Sequence, residues 1–248
     1  LIYGLPHQTR ETFKKTVGQV IGLKPDRIAL YSFAYVPWLQ KHQNKLTADD
    51  FPNNDAKLDI FLLARQKLLD NGYQAIAMDH FALKTDEMAR AFNERKLYRN
   101  FMGYTVKPAD EYIGFGVSAI GFLENTFIQS IKVLPEYYKA LSEGRLPVER
   151  GKELTEDDRI RRWVILQFMC QFRVDKKQFK SLFGKDFDDY FAFERGHIAH
   201  CIEDSLIKED EQTIEVTDLG QLFIRNVCMG FDAYLRKGGT VRRFSRTV

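Results

Sequence analysis

Residues Leu1-Ile2-Tyr3-Gly4-Leu5-Pro6 and Ile28-Ala29-Leu30-Tyr31-Ser32-Phe33 decide the fold class. Both are short and almost wholly apolar. Such runs read as strands covered on both faces, as in a parallel sheet, rather than as strands with one wet face. Between them Thr9 is placed to cap a helix, and Phe13, Val17, Val20 and Ile21 recur at i, i+4, i+7 and i+8 as one apolar face. Pro25-Asp26 stops that helix. Strand, helix, strand is a βαβ unit with a right-handed crossover, and such units belong to larger sheets. Because the first residue already lies inside a strand, the 248 residues read as the rear portion of something longer.

Further along, Pro37 ends the second strand and a polar loop runs to about Asp55. Leu58, Phe61, Leu62, Leu68 and Leu69 then mark a helix that Asn71-Gly72 should stop. Gln74–Met78 reads as a third strand ending at Asp79-His80, followed by a helix from about Asp86 with Thr85 as its cap. Glu111–Val117 reads as a fourth strand, running into Ser118-Ala119-Ile120. After about residue 135 helical periodicity dominates. Helices are expected from Leu134, from the Thr155-Glu156-Asp157-Asp158 capping box, over Gln178–Phe183 and over Phe187–Ile202. A hairpin of Ser205–Lys208 with Thr213–Val216 and a last helix from Thr217-Asp218 complete a winged-helix-like pattern. The expected division is therefore 1–135 and 136–248.

Composition narrows the function classes. The chain is 44% hydrophobic and 29% charged, as in a globular protein, and carries no apolar run long enough to cross a bilayer. Net charge is +3: residues 1–135 hold 17 Lys/Arg against 14 Asp/Glu, and residues 136–248 hold 20 against 20. Neither part offers the positive field that phosphate-backbone binding requires, and the expected wing turn, Glu209-Asp210-Glu211, would repel it. No nucleic-acid partner and no membrane are expected. Cys170, Cys201 and Cys228 are odd in number and widely spaced, which fits a reducing compartment, core positions and no metal site.

In a parallel α/β sheet ligands gather beyond the carboxyl ends of strands. Four segments are expected there: Gly4–Thr9, Ala34–Pro37, Asp79-His80-Phe81 and Gly116–Ile120. Asp79-His80 suggests an oriented imidazole for proton transfer or substrate binding; the blander reading is local backbone capping. Arg99 could grip a carboxylate through its guanidinium fork, although an isolated arginine is more often simply solvated. Tyr31, Tyr35 and Trp38 could line an aromatic pocket or pack in the core. Gly114-x-Gly116 lacks the third glycine of a dinucleotide fingerprint and fits close backbone approach instead.

Taken together, several collinear blocks resemble oxygen-independent coproporphyrinogen III oxidases. They are Leu1–Pro6, Gly72-Tyr73 through Met78-Asp79-His80-Phe81-Ala82, Arg99-Asn100-Phe101 with Gly103-Tyr104-Thr105, and Gly116–Ile120. Arg225-Asn226-Val227-Cys228-Met229 with Phe231-Asp232, and Phe244-Ser245-Arg246, complete the set. The family is one of radical S-adenosylmethionine enzymes. The resemblance implies an α/β fold: the C-terminal part of a partial (β/α) TIM-like barrel followed by a mostly helical, winged-helix-like domain. It implies oxidative decarboxylation of two propionates of coproporphyrinogen III to vinyl groups, giving protoporphyrinogen IX for haem synthesis in the cytoplasm. A 5′-deoxyadenosyl radical, made from S-adenosylmethionine by a 4Fe-4S cluster, takes a hydrogen from the propionate, and an electron acceptor completes the oxidation.

Carried over residue by residue, the resemblance assigns Ala34 and Ile120 to S-adenosylmethionine, and makes Asp79, His80 and Arg99 candidates for substrate binding. It names no catalytic side chain, places the cluster's cysteines outside this chain, and implies that these residues alone are inactive and that the whole protein is a monomer. Tyr35 and Met102 depart from the histidine and glutamine that family members often carry there. A haem-chaperone-like paralogue and, from another class, a winged-helix nucleic-acid-binding module are the alternatives.

Overall fold

The computed structural model describes residues 1–236. The basic run Arg242-Arg243-Phe244-Ser245-Arg246 lies outside them.

The expected βαβ unit is present. Strand β1 (Ile2–Tyr3) leads into helix α1 (Arg10–Leu23), then β2 (Arg27–Ala29) and β3 (Tyr31–Ser32), and β1 pairs with β3 in parallel, Ile2 opposite Tyr31. Thr9 caps α1 by accepting from the Thr12 amide, as its position predicts, and Phe13 and Val17 are buried against α2 (Asn54–Asp70). Helix α2 buries Ile60, Phe61, Ala64 and Leu68 and stops at Asn71, with Gly72 at a φ of +88° that a glycine adopts without strain.

Beyond this unit the sheet departs from the parallel reading. The expected single strand 28–33 changes partner at Leu30: β2 pairs antiparallel with β5, whereas β3 pairs with β1. Strand β4 (Tyr73–Ile76) does not run on to Asp79. It turns through Ala77, at a φ of 52°, and returns antiparallel as β5 (His80–Leu83). Three connecting residues are too few for the crossover that parallel strands need. Helix α3 (Glu87–Asn93) follows, capped by Asp86 rather than by Thr85. Strands β6 (Tyr98–Asn100) and β7 (Gly103–Thr105) form a separate hairpin.

The expected strand 111–117 is not a strand. Tyr112 alone bridges Phe122, and the ladder runs through β8 (Ile120–Leu123) and β9 (Thr126–Ser130). Helix α4 (Leu134–Ser142) is followed by β10 (Val148–Glu153), which pairs antiparallel with β9 where helix alone was expected. Strand β10 is exposed along its whole length, so it carries no apolar alternation from which a strand could be read.

The last part follows the predicted order, except that the helix expected over Phe187–Ile202 is broken by a 3-10 turn at Ala192–Glu194. The Thr155 capping box opens α5 (Glu156–Gln171); then come β11 (Arg173–Asp175), α6 (Lys176–Phe183), α7 (Phe187–Tyr190), α8 (Arg195–Glu203), β12 (Ile207–Glu209) and β13 (Thr213–Val216). The hairpin is as expected, but β11 adds a third strand, in the order β11-β13-β12. The expected last helix is three short ones: α9 (Asp218–Leu222), α10 (Ile224–Met229) and α11 (Ala233–Arg236). Phe168, Phe179, Phe187, Phe191 and Phe231 fill the core beneath them. That cluster continues through Ile76, Ala82, Met88 and Tyr104, so it draws on residues from both sides of position 135. A second cluster joins Tyr3, Phe13, Leu30, Phe61 and Phe81.

Candidate functional site

The tight β4–β5 turn buries the Asp79 side chain and sets His80 as the first residue of β5. Asp79 Oδ1 lies 2.7 Å from His80 Nδ1. A carboxylate at that distance accepts the Nδ1 proton, which orients the ring and leaves Nε2 free. Asp79 Oδ2 is buried without a hydrogen-bond partner among the described residues, with Arg225 Nη2 at 3.9 Å. Arg225, from α10, points its Nε at Met78 Sδ (3.0 Å). Beside them is a cavity of about 60 Å³ bordered by Tyr3, Ser32, Asp79 and Arg225. Burial pushes the Tyr3 phenol up to about 12, against a lowering hydrogen bond with Ser32.

On its other side the His80 ring meets two tyrosines edge-on, Tyr31 at 5.9 Å and Tyr104 at 5.2 Å between centroids. Gly103, at a φ of +118°, brings the β6–β7 turn against His80 in a conformation other residues would strain to adopt. Tyr104 is buried, its hydroxyl donates to the Met169 carbonyl (3.1 Å), and burial raises its pKa, so it stays a neutral donor. The Arg99 guanidinium sits 5.3 Å above the Tyr104 ring with Nη1 near Met169 Sδ at 3.7 Å, and its Nε is buried without a partner among the described residues. Asp79, His80 and Arg99, singled out in the sequence, are thus joined through Tyr104. Arg99 also borders a cavity of about 590 Å³ together with Phe101, Tyr112, Phe127, Arg162 and Met169.

Ala34 and Ile120 are placed elsewhere; among the described residues no hydrogen bond or ring contact ties either to the Asp79 group. Ala34 lies in the loop after β3. The buried Gln43 pins that loop, donating to the Ala34 carbonyl (3.1 Å) and accepting from the Val36 amide (2.6 Å). Tyr35 next to it donates to the Leu46 carbonyl (2.9 Å) and packs on Phe51. Ile120 opens β8 after a turn with Gly116 at a φ of +99° and Ser118 at +58°. Gly114 passes so close that a Cβ there would meet the Ile120 carbonyl at 2.8 Å, the close approach its glycine spacing suggests. Met102 is almost wholly exposed.

Three residues that organise the site were not read from the sequence. Gln43 lies in a polar loop with no pattern. Arg162 shares helix α5 with other arginines and differs from them only in what it faces. Arg225 carries no local signal of its role, because its approach to Asp79 spans 146 positions of chain.

The described residues offer no metal site: none of their His, Cys, Asp and Glu side chains form a group of three that could hold an ion. Cys170, Cys201 and Cys228 are buried, and burial raises each thiol, Cys170 to about 12 and Cys201 to about 11. A cluster ligand must be a thiolate. These cysteines do not fit one.

Residues 154–223 match the family model described as the HemN C-terminal domain. An oxygen-independent coproporphyrinogen III oxidase from Escherichia coli is 42% identical over all of this chain, which spans 54% of that protein's length. One from Synechocystis is 40% identical over all of the chain and 54% of its own length. A relative of the same name from Thermostichus vulcanus is 40% identical over all of the chain and 76% of its own length. The chain also superposes on a solved structure described as coproporphyrinogen III oxidase (HemN) from Escherichia coli, a radical SAM enzyme. The TM-score is 0.89 at 42% identity, over 94% of this chain and 54% of that one. The chain thus spans about half the length of the first of its curated relatives, and it belongs to the oxygen-independent coproporphyrinogen III oxidase family.

Proposed function

We propose that the protein carrying these residues oxidatively decarboxylates two propionates of coproporphyrinogen III to vinyl groups, giving protoporphyrinogen IX in haem biosynthesis. The observation that carries this reading is the match of the whole chain, at about 40% identity, to relatives that bear the oxidase name. S-adenosylmethionine with a 4Fe-4S cluster would supply hydrogen abstraction; the cluster's ligands are assigned outside this chain, because the cysteines present do not fit it, and these residues alone would then be inactive. Per propionate, the β-carbon loses a hydrogen atom, the bond to the carboxylate breaks to release carbon dioxide, and one electron leaves to an acceptor.

The chain's own residues would bind and orient. Ala34, exposed, and Ile120, half-buried, are apolar side chains beside pinned loops, suited to packing against S-adenosylmethionine rather than to reacting. His80, held by Asp79 and walled by Tyr31 and Tyr104, offers Nε2 to a bound polar group. Arg99 offers charge for a substrate carboxylate. Such chemistry demands positioning and exclusion of water more than an acid–base pair.

In this reading residues 1–135 are the rear of a partial (β/α) TIM-like barrel and residues 136–248 a mostly helical, winged-helix-like cover, in a cytoplasmic monomer that binds neither nucleic acid nor membrane. None of the described helices is long and apolar enough to cross a membrane. Glu209 in the hairpin is engaged by Arg195 and Lys176, so those two cations are already paired rather than offered to a phosphate backbone. The test is anaerobic incubation of the protein at its natural length, reconstituted with iron and sulfide, with coproporphyrinogen III, S-adenosylmethionine, a reductant and an electron acceptor. Protoporphyrinogen IX with two carbon dioxide per substrate supports the proposal. Cofactor cleavage without loss of propionate, or haem transfer in its place, refutes it.

A further inference from the structure

We propose that the 590 Å³ cavity between the β6–β7 hairpin, the β8–β9 hairpin and helix α5 is a carboxylate subsite, in which Arg99 and Arg162 hold a propionate-bearing flank of the tetrapyrrole. The inference rests on the reading above for its ligand and on the cavity for its place.

Three observations carry it. The volume lies in the range of roughly 300–1,000 Å³ used by small-molecule sites. Its wall is mostly apolar, with Phe101, Tyr112, Phe127 and Leu166 among the side chains that a ring system would meet. Above all, two of its three arginines have no carboxylate among the described residues. Arg161 is neutralised by Asp157 (2.9 Å) and Glu194 (2.8 Å), but no described acid lies within ion-pair distance of Arg99 or Arg162.

Both free guanidiniums are held in place without being neutralised. Arg162 stacks 4.7 Å from the Phe122 ring centre and 5.7 Å from that of Phe127, and donates from Nη2 to the Tyr98 hydroxyl at 3.1 Å. Arg99 stacks on Tyr104, and its buried Nε lacks a partner among the described residues. Cation–π contact fixes a guanidinium while leaving its edge donors available for a bidentate carboxylate. A partly desolvated cation with no counter-ion is costly to maintain, and an incoming anion relieves that cost. The two acids on the wall are already engaged: Asp158 Oδ2 accepts from the Thr155 amide and the Tyr234 hydroxyl, and Asp232 Oδ1 from the Tyr234 amide. A carboxylate entering the cavity would therefore find its unpaired donors at Arg99 and Arg162.

The probe is coproporphyrin III, the stable oxidised form of the substrate, with its tetramethyl ester as the uncharged control. Binding to the protein at its natural length is followed by porphyrin fluorescence. Arg162→Gln and Arg99→Gln should each weaken binding of the acid by roughly 10- to 100-fold, leave the ester unaffected, and raise KM more than they lower kcat. Arg162→Lys should recover part of the loss. Lys14→Gln, on the exposed face of α1, sets the background for removing any one charge. Thermal unfolding of each variant separates lost binding from lost folding; Arg162, whose side chain is partly exposed, serves if Arg99→Gln does not fold. Equal binding of acid and ester, or unchanged affinity in both variants, overturns the subsite. If the wild type turns over coproporphyrinogen with a KM that neither variant changes, the subsite fails and the proposed function stands. If arginine-dependent binding appears without any turnover, the subsite stands and the proposed function fails.

Discussion

Residues 154–231 and residues 99–127 use aromatic side chains for opposite purposes. In the first region Phe168, Phe179, Phe187, Phe191 and Phe231 are buried by the helices that carry them, and they pack ring against ring at 4.8–5.7 Å. In the second, Phe101 is 58% exposed and Phe115 91% exposed, while Phe122 and Phe127 pack on the guanidinium of Arg162. The first arrangement is a hydrophobic core and should govern stability. The second keeps exposed apolar surface and charge together beside a cavity, an arrangement that suits an amphipathic ligand.

The comparison breaks most readily at the core. Phe191→Ala, which removes a fully buried ring at the centre of the cluster, should cost about 3–5 kcal/mol in urea unfolding. A loss under about 1 kcal/mol would mean that the cluster does not hold this region together.

A smaller effect is expected where charge supports the same region. Glu209 is clamped by Arg195 (2.7 and 2.9 Å) and Lys176 (2.8 Å). Burial alone would raise its pKa, but the two cations outweigh burial and bring it below the ordinary glutamate value. A lowered folded-state pKa means that Glu209 stabilises the fold fully above about pH 4.5, and that this contribution fades as the pH falls through the lowered value. Glu209→Gln should cost about 1.5–3 kcal/mol at pH 7 and flatten the acid limb of the stability curve. An acid limb as steep as the wild type's would place the titrating group elsewhere. Least of all, Phe115→Ala should change unfolding by no more than about 0.5 kcal/mol, and a larger loss would show that this loop belongs to the core after all.

Local chemistry was legible in the sequence, and pairing was not. Thr9 and Thr155 cap the helices they were expected to cap, Asn71-Gly72 stops α2, and the 205–216 hairpin forms, because each depends on groups a few residues apart. The antiparallel return at Asp79 and the strand Val148–Glu153 were missed for physical reasons. The first is set by a turn at Ala77, which no glycine or proline announces. The second is held by main-chain pairing with β9 and carries only one apolar side chain. For the site, Asp79-His80 and Arg99 stood out by residue type. Tyr104 as the link between them, and Arg162 as an unneutralised cation, required knowing what lies across the chain.

Amide hydrogen exchange of the protein at its natural length, with and without saturating coproporphyrin III, tests the division of labour most directly. Ligand should slow exchange in residues 98–105, 120–130 and 161–169, around the cavity, and leave the aromatic core of α6 to α8 unchanged. Protection spread evenly over the chain, or confined to the core helices, would contradict the assignment of the exposed aromatic region to a carboxylate-bearing ligand.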